Sequence, residues 1–88
     1  MKPEIKQSAK RRLAIVAGQI KGIQAMVEQE KYCVDIITQI EAAREALSGV
    51  KNLVLENHLS THLMHQMKHG EEVKATREIL KIYQLAQK

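Results

Sequence analysis

The sequence has no tryptophan, no phenylalanine and two tyrosines, Tyr32 and Tyr83. Its core must therefore come from Ile, Leu, Val, Met and Ala, which suits packed helices rather than a sheet rich in aromatics. A single cysteine, Cys33, excludes a disulfide within the chain and fits a reducing compartment where a thiol is free to ligate or react. A single proline, Pro3, leaves everything after the first turn open to uninterrupted helix. No apolar run approaches the roughly 18 residues that span a bilayer, and the N-terminus lacks the apolar stretch of a signal peptide. A soluble, cytoplasmic protein without membrane contact is expected. Gly-rich phosphate loops, H-E-x-x-H and a serine beside a plausible base are also missing, so neither an enzyme nor a small-molecule substrate is expected.

The 88 residues suffice for one small domain, 1–88. A chain this short buries only about 60% of its unfolded surface and gains from oligomerising. Net charge is +4, concentrated at the start: Lys2, Lys6, Lys10, Arg11, Arg12 and Lys21 face one acid, Glu4, in that stretch. A basic first helix suggests a polyanionic partner, nucleic acid first, although such runs also serve as solvated helix faces.

Leu13, Val16, Ile20, Ile23 and Val27 recur at steps of three and four, predicting an amphipathic helix over about residues 5–29. The break at 29–31 contains neither Gly nor Pro. A second stripe, Ile36, Ile40, Ala43, Leu47, Val50 and Val54, continues through His58, Thr61 and His65. It predicts a helix of about 35 residues over 32–67, with Gly49 its weak point. Lys68-His69-Gly70 reads as a helix end with Gly in the left-handed position. A third helix follows, carrying Val73, Ile79, Leu80, Ile82, Tyr83 and Leu85. Three unequal helices per chain point to an all-α dimer built as a bundle.

His58 and His62 lie four residues apart and project from one helix face. One soft thiolate and two imidazoles form a usable transition-metal set. If 33–58 is one helix, those two residues lie roughly 37 Å apart at about 1.5 Å per residue. They cannot then reach one ion within a chain. An antiparallel second copy would set Cys33 of one subunit against His58 and His62 of the other. The two-fold axis would cross near about residue 45 or 46, within the small residues Ala42, Ala43, Ala46, Ser48 and Gly49. His65 and His69 read as surface and as a partner of terminal carbonyls, respectively.

The runs Gly18-Gln19-Ile20-Lys21-Gly22-Ile23 and Tyr32-Cys33-Val34-Asp35-Ile36-Ile37-Thr38-Gln39-Ile40, with the His58/His62 pair, resemble the CsoR/RcnR/FrmR family of small helical repressors. These respond to metals or aldehydes. The resemblance implies antiparallel dimers that pair into tetramers, sites between subunits and apo protein bound to operator DNA. It implies Cu(I) at Cys33, His58 and His62, with Tyr32 and Glu78 behind the ligands. It also implies Arg12 and Arg44 on the DNA face, beside the candidates Lys10, Arg11 and Lys21. Nickel and cobalt members add an N-terminal amine or histidine, and no His precedes His58. The terminal proline of formaldehyde members and the second cysteine of persulfide members are also missing. His62 stands where copper members usually carry a second cysteine. The alternatives are therefore a Ni(II) or Co(II) repressor, a Zn(II) site with a fourth ligand, or a helical metal-handling protein without a DNA role.

Overall fold

The computed structural model describes residues 1–86, all but the turns and ends of which are helical. Helix α1 spans Pro3–Glu28, α2 Cys33–His58, and a π-helical turn covers Leu59–Leu63. Helix α3 spans Met64–Lys68 and α4 Glu72–Ala86. The expected all-α architecture of three helical stretches is present, the second being the compound run of α2, π-turn and α3. Pro3 is the first residue of α1, where its missing N–H has no helical acceptor to lose.

Two helix ends share one solution. After α1, Glu30 N–H donates to Val27 O and Lys31 N–H to Met26 O. After α3, Gly70 N–H donates to Met67 O and Glu71 N–H to Gln66 O. Both are Schellman ends, in which a left-handed residue turns two amides back onto orphaned carbonyls. Gly70 takes that position at φ 73°. Glu30 takes it at φ 52°, where an L side chain costs roughly 1–2 kcal/mol. The helix break at 29–31 is therefore made without glycine, by a strained glutamate.

The chain divides into two compact units, Met1–Leu55 and Glu56 onward. In the first, α1 and α2 run antiparallel: Ile20, Ile23 and Val27 share an open groove of about 670 Å³ with Ile40, Ala43 and Leu47. At the other end of this pairing, the Arg12 guanidinium lies 3.6 Å from where a Cβ on Gly49 would sit. Ala9 and Val16 of α1 and Ala43 and Val50 of α2 are buried. Ala43 and Gly49, from the small-residue patch, thus meet α1 of their own chain. The rest of both apolar stripes stays open, with Leu13, Ile20, Ile40 and Leu47 each close to half exposed.

In the second unit α3 packs against α4, and Leu63 of the π-turn and Ala75 of α4 are buried. Asn57 and Gln66 are buried there too. The π-turn was not legible in the periodicity, which predicts plain helix through 67. A π-turn withdraws a carbonyl from its usual i+4 amide. Here the Thr61 hydroxyl donates to Asn57 O at 2.6 Å and Ser60 to the same oxygen at 3.2 Å. No helix among the described residues is long and apolar enough to cross a membrane.

Candidate metal centre

Cys33 is the first residue of α2 and is exposed; Tyr32, just before it, is exposed as well. His58 is the last residue of that helix, followed at once by the π-turn carrying His62. The two imidazoles lie on one side of the turn, centroids 5.2 Å apart and planes inclined by 28°. A four-residue step returns close to the same azimuth in either helix type, so the π-turn keeps the pair together.

Helix α4 places Glu78 against His58. The His58 Nε2–H donates to Glu78 Oε2 at 2.9 Å, and the Gln66 amide donates to Glu78 Oε1 at 3.0 Å. The Gln66 hydrogen bond, then that of His58, holds the Glu78 carboxyl below its ordinary 4.5. An ionised carboxylate only accepts. Neutral His58 must therefore carry its proton on Nε2, leaving the Nδ1 lone pair free.

A parallel argument applies to His62. Its Nδ1 lies 3.3 Å from Thr61 Oγ1, whose single proton is committed to Asn57 O. The hydroxyl can then only accept, so His62 donates from Nδ1 and presents Nε2. The two rings offer different nitrogens, each fixed by a protein partner. Such fixing behind a ligand raises basicity and sets ring orientation at metal sites.

His58, His62 and Glu78 are thus brought together within one chain. Among the described residues, no group of three or more His, Cys, Asp or Glu gathers in one chain to hold a metal. His69 donates from Nδ1 to the His65 carbonyl at 2.9 Å, and the His65 and His69 rings, tilted by 30°, have centroids 4.1 Å apart. The cluster member that sequence reasoning missed is Gln66. A glutamine four residues after His62 carries no signal of burial.

The basic candidates Lys10, Arg11, Arg12, Lys21 and Arg44 are all exposed. Arg44 lies 3.6 Å from Glu41 in an open surface pair. A pair this exposed is worth about 0.2–1 kcal/mol and does little to hold the guanidinium.

A sequence model described as the metal-sensitive transcriptional repressor family matches residues 5–84. The copper-sensing transcriptional repressor CsoR of Bacillus subtilis is 39% identical over 72 residues, covering 82% of this chain and 71% of that protein. The copper-sensing repressor RicR of Mycobacterium tuberculosis is 46% identical over 55 residues, 62% of this chain and 57% of its own. An RcnR homologue of Escherichia coli is 31% identical over 74 residues, 84% of this chain and 79% of its own. Among solved structures, the Cu(I) form of CsoR from Geobacillus thermodenitrificans superposes with a TM-score of 0.92 at 31% identity. That superposition covers 100% of this chain and 92% of the other.

Proposed function

The chain belongs to the metal-sensitive transcriptional repressor family, and from that premise we propose a Cu(I)-responsive repressor whose metal site is shared between subunits. Its task is regulation, not catalysis. The observation that carries the proposal is the His58–Glu78 hydrogen bond beside His62: two imidazoles, each with a defined free nitrogen, on one helix face.

The donor set fits the metal. Cu(I) favours thiolate, accepts imidazole and tolerates low coordination, so Cys33, His58 and His62 suffice. Ni(II) and Co(II) call for more nitrogen and oxygen ligands, and Zn(II) for a fourth ligand. Cys33 and His58 are the two ends of a 26-residue helix, about 37 Å of rise. Sharing between antiparallel copies follows: Cys33 of one chain with His58 and His62 of the other.

The half-exposed stripes of α1 and α2 supply an apolar face for that second copy, and dimers pairing into a tetramer would cover more of it. Operator DNA would meet Lys10, Arg11, Arg12, Lys21 and Arg44 through phosphates and DNA shape, without a recognition helix. Cu(I) bound in the shared site would link two subunits and favour a form that holds DNA less well, which requires different metal affinities in the two forms. The similarity to bacterial transcriptional repressors supports a cytoplasmic setting.

Titrating Cu(I), Ni(II) and Co(II) separately into reduced apo protein on fluorescent DNA from its own promoter tests the proposal. Release by about one Cu(I) per subunit, lost in Cys33→Ala, is the expected result. Release by nickel or cobalt alone would replace the inducer. Apo protein that ignores this DNA at low salt would point to metal handling instead.

A further inference from the structure

Gln66 is 8% exposed, buried under α4 from the short helix α3. Its Nε2 donates to one oxygen of Glu78 while His58 donates to the other. With both oxygens engaged, the carboxylate cannot turn without releasing one partner. Because the carboxylate only accepts, it also dictates how the glutamine amide faces: nitrogen towards Glu78, oxygen away. That oxygen is buried without a hydrogen-bond partner among the described residues.

A buried acceptor left unpaired is unfavourable, and an apolar side chain of similar length would avoid it. Gln66 therefore sits here at a cost to folding that only its amide nitrogen offsets. We propose that Gln66 is a positioning residue for the metal site. It clamps Glu78 and, through Glu78, selects the His58 nitrogen offered to metal. The inference deepens the metal-site reading above and rests on it.

Gln66→Leu in the full-length chain tests this with three readouts. In apo protein, imidazole ¹⁵N shifts should report a single Nε2–H tautomer for native His58 and a mixture of tautomers in the variant. Cu(I) affinity, measured by competition with a chromophoric chelator, should fall about tenfold, the lower end of the loss for partners behind a ligand. The melting temperature should stay level or rise, which a merely structural role would not allow. In a Glu78→Ala background, Gln66→Leu should cause no further loss of affinity, since its effect passes through Glu78. A folded variant with one His58 tautomer and native affinity overturns the proposal, as do losses that add in full. Gln66→Met carries the same readouts if the leucine variant does not fold. Native protein that binds no Cu(I) would remove the copper reading, and the apo tautomer measurement would still decide whether Gln66 acts on His58.

Discussion

His58 Nε2 and Glu78 Oε2 stand 2.9 Å apart across 20 residues of sequence, joining the end of α2 to the middle of α4. Glu78 is thereby the partner that fixes how His58 is presented. Replacing Glu78 with alanine should lower Cu(I) affinity about 10–100-fold. Binding of the apo protein to operator DNA should stay close to native. Competition titration for the metal and fluorescence anisotropy for the DNA check the two halves separately.

The same carboxylate gives the protein a defined acid sensitivity. Its folded value lies below 4.5, chiefly because the Gln66 amide and then His58 donate to the ionised form. Stability from this group is fully present above 4.5 and is lost as pH falls through the lower folded value. Melting temperature followed downward from pH 6 should therefore decline less in Glu78→Ala than in native protein over that acid window. A carboxyl ¹³C titration of Glu78 should show its midpoint below 4.5.

Sharing of the site can be tested by mixing subunits. A Cys33→Ala chain and a His58→Ala chain should each fail to respond to Cu(I) alone. In a mixed antiparallel dimer, the cysteine of one and the histidines of the other rebuild one intact site of two. Co-refolded mixtures should regain Cu(I)-driven release of DNA, with up to about half the native metal stoichiometry in the mixed dimers. A site contained within one chain would regain nothing.

The two Schellman ends make opposite predictions for one residue type. Glu30→Gly should stabilise the protein by about 0.5–1 kcal/mol, as relief of the left-handed strain exceeds the added freedom of the unfolded chain. Gly70→Ala should destabilise it by about 1 kcal/mol for the same steric reason. Urea denaturation at fixed protein concentration measures both.

Thr61→Val removes the hydroxyl that serves Asn57 O and His62 together. A loss of about 1 kcal/mol is expected from the hydrogen bond to the carbonyl, along with a mixed tautomer for His62 in ¹⁵N spectra. Thr61→Ser should restore the single tautomer.

Gly70 could be read in the sequence as a left-handed helix end because glycine is the residue such a position favours. Glu30 could not, since nothing in a glutamate announces positive φ. Steps of three and four located the helical stretches but not the π-turn. Thr61 and Ser60 divert a carbonyl there through side-chain hydroxyls, which apolar periodicity does not register. His58 and His62 stood out by their spacing, and Glu78 by resemblance alone. Gln66 was hidden because its importance lies in an amide turned towards a carboxylate from another helix, a pairing that only tertiary packing creates.

Among the described residues no side chain is buried beyond 98%, and the buried hydrophobic residues are Ala9, Val16, Ala43, Val50, Leu63 and Ala75. With a core this sparse, the association proposed above would carry part of the folding free energy, and mass action would couple the two. Melting temperature should climb as the protein is concentrated. In a cell the number of copies would set how resistant each copy is to proteolysis. A repressor built in this way would lose its sparsest populations first, so its abundance and its lifetime would rise and fall together.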